Sequence, residues 1–224
     1  QARALKSQRV ALARGDEGIV VHDDVLDSSN DPVHRIAPCH GFECVEKYVA
    51  LKDPSFSWSL MRQELSGTVK GTGVTWEAKF LNMTSQRWMG KSDTDHQLWW
   101  HIVAMITPSN LGVLGDDSEH WATVFVGGGG NAFRVTEDDE YLHSAAQMAA
   151  LTGTTSAVVF QVPNQPMSFS DDPLHVEKGE EAMKAWGWRS VLDHPDRPEH
   201  IIELPIVKAL VRALDTVEEF TSHR

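Results

Sequence analysis

The sequence predicts an α/β protein with a central, largely parallel sheet flanked by helices. Three observations carry that expectation. Residues 98–108 ("LWWHIVAMITP") and 121–126 ("WATVFV") are short runs apolar on every side, as strands covered on both faces by helices are. A third run, 155–163 ("TSAVVFQVP"), has the same character. Between the second and third lies a stripe at helical spacing, which makes a strand–helix–strand unit of the kind that builds parallel sheets.

Taken in order, residues 1–35 are polar without periodicity and end near a Ser-Ser-Asn-Asp-Pro turn cluster, so they read as an arm or linker. Residues 68–84 alternate apolar and polar side chains around Gly71-Thr72-Gly73, a β-hairpin signal. The run at 98–108 ends as a strand at Pro108, and the run at 121–126 ends at four glycines. Residues 137–152 place Leu142, Ala145, Ala146, Ala149 and Leu151 at helical spacing, with Gly153 as a stop. Residues 179–193 predict a helix that Gly187 weakens. The last helix is the clearest: Pro205 sits at a first-turn position, and Ile206, Leu210, Ala213, Leu214, Val217 and Phe220 form one stripe. It closes at Phe220, where an α/β pattern calls for another strand.

Composition bounds the function. The 224 residues are 41% hydrophobic and 23% charged, ordinary for one large or two small globular domains. No run of about 18 apolar residues predicts a membrane span, and the first residues show no apolar stretch suited to a signal peptide. A net charge of −12 repels a phosphate backbone, which argues against nucleic acid as a partner. Cys39 and Cys44 are spaced for a small disulfide loop or are two unrelated thiols. A metal is disfavoured, since no second cysteine pair exists to complete a zinc site. Asn82-Met83-Thr84 is an N-glycosylation triplet, and with a disulfide it points to a secreted protein.

The candidate chemistry centres on the glycines at 127–130, followed by Asn131. Gly127, Gly129 and Ala132 formally satisfy a dinucleotide fingerprint, but residues 152–160 lack the acidic partner and no Gly-Lys-Ser/Thr occurs, so no nucleotide cofactor is expected. A bare loop between a strand and a helix also suits an oxyanion hole, where backbone N–H groups must approach a substrate closely. The alternative is a glycine-rich turn with no ligand. No Gly-x-Ser-x-Gly, Ser-x-x-Lys or His-Glu-x-x-His supplies a nucleophile or metal site, and the 11 histidines are scattered singly. Most of the 8 tryptophans lie within strand or helix patterns, which favours core packing over ligand stacking.

"KYVALKDPSFSW" (47–58), "NMTSQRW" (82–88), "FVGGGGN" (125–131), "VPNQP" (162–166) and "VKALVRALDTVEEF" (207–220) stand in that order. Together they resemble the PhoPQ-activated pathogenicity-related family, which includes autocrine proliferation repressors, over most of the chain. The resemblance implies a secreted or periplasmic protein of α/β-hydrolase-like fold, with a serine in a Gly-x-Ser-Lys-Arg-Gly elbow after the helix matching 206–220. That elbow and the later acid and histidine are absent from this sequence. "DTDHQLWWH" (93–101) keeps only Trp99 and His101 of an expected Asp-Arg-Pro-x-Trp-Lys-His stretch.

The implied organisation is a polar arm, 1–45, and the N-terminal half of a hydrolase-like domain, 46–224. Gly128, Gly129, Gly130 and Asn131 are the expected backbone contacts of an oxyanion-side loop, and no catalytic side chain is assigned. The missing strands and nucleophile would come from a second polypeptide, the C-terminal part of the same precursor, or self-association would cover the open sheet. The chemistry would be that of a serine esterase or peptidase. The alternative is a non-catalytic secreted signalling or assembly protein. The extracellular space is the expected location, with the periplasm or a lysosomal lumen as alternatives.

Overall fold

The structure is a computed structural model that describes residues 35–115 and 118–222. Its elements are α1 (Phe42–Ala50), β1 (Ser57–Thr68), β2 (Thr75–Arg87), β3 (Leu98–Pro108), β4 (Ala122–Val126), α2 (Glu140–Thr152), β5 (Thr155–Val159), α3 (Glu180–Asp193) and α4 (Glu203–Ser222). Short 3-10 turns occupy Ser118–His120 and Pro198–His200. Residues 1–34 of the expected arm lie outside the described residues. Just beyond them, Ile36 is buried beside Tyr48 and Trp88.

The five strands form one sheet in the order β1-β2-β3-β5-β4. The pairs β1–β2, β2–β3 and β3–β5 are antiparallel, and β4–β5 is parallel. The largely parallel sheet expected from the apolar runs, and with it the hydrolase-like half-fold drawn on that sheet, is therefore corrected to a mixed, mostly antiparallel one within an α/β protein. The reason is connection length. Segments 69–74 and 88–97 are shorter than the roughly dozen residues that a parallel crossover needs, so β1, β2 and β3 turn back on one another. β3 is apolar on both faces because helices cover both faces of the sheet, which an antiparallel centre allows equally well.

Alternation along the strands sorts the core. Phe80, Ala104, Ile106, Val158 and Phe160 pack with Leu142, Ala145 and Ala149 of α2. Leu81, Met83, Val103, Met105, Ala157 and Val159 face the opposite way and pack with Ala213 and Val217 of α4. The alanines let both helices lie close to the sheet. A third cluster joins Tyr48, Trp88, Trp99, Phe169, Met183 and Ile202 beneath α1 and α3. Trp88 and Trp99 are fully buried, in keeping with core packing, whereas Trp121 and Trp188 are exposed.

Local signals explain the element ends. The hairpin turns at Gly71 (φ 84°) and Gly73 (φ 72°), as the Gly-Thr-Gly triplet predicts. The Asp139 side chain accepts from Leu142 N–H and caps α2, and Gly153 ends the helix in the left-handed region. Gly187, which weakens α3 on propensity, is buried where any Cβ would collide with the His200 carbonyl. Packing outweighs propensity there.

The expected Cys39–Cys44 disulfide is formed and ties the segment ahead of α1 to its first turn. α1 is tied to α4 by Lys208, whose Nζ donates to Leu51 O at 2.9 Å and lies 5.3 Å from the centre of the Tyr48 ring. Burial pulls Lys208 down to about 8, partly offset by the Asp53 charge. A folded-state value below the unfolded one means that the fold carries this charging cost in full below pH 8 and loses it as pH rises towards 10.5. Lys208→Met is expected to raise stability at pH 7 by about 1–2 kcal/mol and to flatten the rise in wild-type stability between pH 8 and 10, read by urea unfolding. Replacing both cysteines with serine is expected to cost about 2 kcal/mol, the loop-closure value for so short a ring, and thermal unfolding with and without reductant checks it.

Candidate functional site

The parallel strands β4 and β5 end side by side, so the segments that follow them meet at one edge of the sheet, where α/β proteins place their ligand crevices. Gly127 N–H donates to Val159 O (2.8 Å) and Gln161 N–H to Gly128 O (3.0 Å). The loop then turns away and docks on the 161–166 segment. Asn131 N–H donates to Gln165 O (2.6 Å), and Asn131 Nδ2 donates to Pro166 O (2.8 Å). Two of the blocks that carry the family resemblance, "FVGGGGN" and "VPNQP", are thus one structural unit.

Three of the four glycines have a reason inside the fold. A Cβ on Gly127 would strike the Phe160 ring, Gly129 has φ 110° and lies against Phe133, and a Cβ on Gly130 would come within 3.0 Å of Gln165 O. Gly128 is different: it is exposed, and a Cβ there meets nothing within 4 Å. Its lack of a side chain answers to no neighbour among the described residues.

Gln161 holds this loop in place. It is wholly buried with φ 61°, and its Nε2 donates to Gly130 O (3.4 Å) and Asn131 O (3.3 Å) while Oε1 accepts from Ile102 N–H (3.2 Å). The carbonyls of Gly128, Gly130 and Asn131 are therefore engaged within the protein. Among the described residues nothing accepts from the N–H groups of Gly128, Gly129 and Gly130. The uncommitted polar groups of the loop are therefore donors, not acceptors. Asn131 Oδ1 is buried without a hydrogen-bond partner among the described residues.

Behind Gln161 lies a polar network that the sequence does not announce. His101 Nδ1 faces the carbonyls of Phe160 (3.2 Å) and Gln161 (3.1 Å), both acceptors, so the proton sits on Nδ1 and Nε2 accepts from Ser85 Oγ at 3.0 Å. Asn164 bridges Trp100 N–H and O as well as Gln161 O. The Ser85–His101 contact has the spacing of a nucleophile and its base, but both residues are fully buried and carbonyls stand where an orienting carboxylate would be. Its role is structural. The one signal available in the sequence is a lone polar residue within an apolar run, His101 in "WWHIVAM" and Gln161 in "VVFQVP".

The other expected positions lie apart from the loop. Cys39 and Cys44 pack on the cluster around Tyr48 and Trp88. Asn82 is half-buried within β2, paired with Ser59 and Ile102 and with Oδ1 buried. Among the described residues no group of three or more His, Cys, Asp and Glu side chains is placed to hold a metal, and no helix is long and apolar enough to cross a membrane.

Burial drives His101 down to about 4, against backbone hydrogen bonds that pull the other way. With the folded value below 6.5, stability is whole above pH 6.5 and falls as pH drops towards 4, by at most about 3 kcal/mol. His200, lowered chiefly by burial, adds to the same slope. His101→Gln is expected to weaken the fold at pH 7 yet reduce the difference between urea midpoints at pH 7 and pH 5. Gln161→Ala is expected to cost roughly 2–3 kcal/mol, since the Ile102 N–H loses its acceptor and the loop its donor.

The remaining blocks of the resemblance also touch. Tyr48 Oη donates to Gln86 Oε1 (3.1 Å), Asp53 Oδ2 accepts from Arg87 N–H (2.7 Å), and Lys208 Nζ donates to Leu51 O (2.9 Å). A family model described as PhoPQ-activated pathogenicity-related protein matches residues 45–224. Autocrine proliferation repressor protein A of Dictyostelium discoideum is 28% identical over 178 residues, covering 79% of this chain and 32% of that protein. The chain thus spans about a third of the length of this curated relative. No solved structure matches it. With the family model covering most of the sequence, the chain belongs to the PhoPQ-activated pathogenicity-related protein family.

Proposed function

We propose that this chain supplies the oxyanion-side loop of an acyl-transfer site in a secreted protein, with the nucleophile carried by polypeptide outside these 224 residues. One observation carries the reading: the N–H groups of Gly128, Gly129 and Gly130 are uncommitted among the described residues, while Gln161 and Gln165 hold the loop from behind. A serine attacking an ester or peptide carbonyl would place the tetrahedral oxygen against these donors. A well-aimed donor of this kind is worth about 10²–10³ in rate.

The sheet offers a place for the rest of the site. β4 ends the strand order, pairing with β5 on one side only, and Trp121 and Val126 at its ends are exposed. A bare edge of apolar residues invites another strand. A second polypeptide, the C-terminal part of the same precursor, is the occupant we favour, and self-association is the alternative. The Cys39–Cys44 disulfide suits an oxidising compartment. A second reading, a non-catalytic signalling or assembly protein, is favoured by the relative's name, which describes repression of proliferation.

Gly128→Ala in the complete protein separates the two. The added methyl meets open space, so the unfolding temperature is expected to stay within about 1 °C of wild type, while kcat/KM on an activated ester falls about tenfold or more. Unchanged turnover in this variant would count against the loop. Absence of both ester turnover and labelling by a fluorophosphonate probe would favour the signalling reading.

A further inference from the structure

Away from the glycine loop, the β2–β3 connection, the segment after Met167 and the Pro198–His200 turn enclose a cavity of about 160 Å³. That is well above the roughly 10–15 Å³ needed by one water, so it has room for a small solute. Met89 and Trp186 form apolar wall, and Asp93, Asp171, Arg197 and His200 supply the polar groups.

These four side chains are held in place yet incompletely used. His200 is 4% exposed, stacked on Trp186, and its Nδ1 contacts Ser190 Oγ at 2.8 Å. His200 Nε2 has no hydrogen-bond partner among the described residues, and it carries the proton in the tautomer in which Ser190 Oγ donates to Nδ1. Asp171 Oδ1 accepts from Trp186 Nε1 (3.0 Å) and Asp93 Oδ2 from Gly90 N–H (2.9 Å), leaving each carboxylate a second oxygen. Arg197 is half-buried, and its guanidinium makes no ion pair or hydrogen bond among the described residues. Arg197, Asp171 and Asp93 all act on the charge state of His200, as does His194 nearby, so both signs converge on this space.

A simple anion would be repelled by the two carboxylates, and a simple cation by Arg197. A metal lacks three suitable ligands among the described residues. We propose that the cavity binds a small zwitterion of the α-amino-acid type, its carboxylate against Arg197 and His200 Nε2 and its ammonium against Asp93 and Asp171. A planar guanidinium matches a carboxylate in two parallel hydrogen bonds. A neighbouring groove of about 610 Å³ shares Asp171 and Trp186; Pro173, Ala182 and Ala185 give it apolar wall beside the charged Lys178, Arg189 and Asp193, so a ligand side chain has room to extend into it. This site does not depend on the acyl-transfer reading.

The test is calorimetric titration of the full chain with glycine, L-alanine and L-leucine, with acetate and methylammonium as half-ligand controls and thermal unfolding in parallel. Saturable binding of alanine and leucine with a raised unfolding temperature is expected, and neither half-ligand should match it. Arg197→Gln and Asp93→Asn, each verified as folded by its circular dichroism and unfolding transition, should each weaken binding about tenfold or more. Acetate binding as well as alanine, undiminished in Asp93→Asn, would overturn the proposal in favour of an anion site. Methylammonium matching alanine would overturn it in favour of a cation site, and no saturable binding up to about 10 mM amino acid would refute it outright.

Discussion

The carboxyl edge of this sheet depends on one buried amide. Gln161 stands two residues past the end of β5, and its polar groups are committed to several different neighbours. Its backbone N–H continues the ladder to Gly128, its side chain fastens the loop carbonyls and β3, and its carbonyl receives His101 and Asn164. A left-handed backbone at a non-glycine residue is costly, and here it is what turns the side chain back beneath the loop. Remove that constraint and the carbonyls of Gly130 and Asn131 lose the side-chain donor that holds them.

Some of this was readable in the sequence. The run at 98–108 has the observed bounds of β3, Gly153 stops α2 where expected, and the Gly-Thr-Gly triplet is the hairpin turn. Strand direction was not readable, because burial on both faces reports how many layers cover a strand and not which way its neighbour runs. β1 was invisible for a different reason: it is an outer strand whose side chains are half-buried or exposed throughout, so no apolar run marks it. α1 leaves little trace in the sequence because it spans 9 residues and buries only Tyr48 fully.

The glycine loop was legible as a loop and as a candidate donor surface, but its supports were not. Those supports are polar residues scattered from Ser85 to Asn164 and are neighbours only in the folded chain. A serine and a histidine at 3.0 Å show how little proximity means without access. Both are sealed in the interior, and their contact secures β2 to β3 at the foot of the site. The blocks that carry the family resemblance behave likewise. Tyr48 meets Gln86 and Leu51 meets Lys208 inside the protein, so the resemblance follows internal joints as much as any outward surface.

The mixed sheet also has a temporal meaning. β1, β2 and β3 pair with neighbours close in sequence, so this meander can assemble as soon as the chain has left the ribosome as far as Pro108. β5 must then insert between β3 and β4, which requires the crossover through α2 to be complete. The glycine loop cannot take shape before that insertion, because Val159 and Gln161 are its first anchors. Vectorial synthesis would therefore deliver the framework early and the glycine loop late, with β4 the last strand edge to take its place.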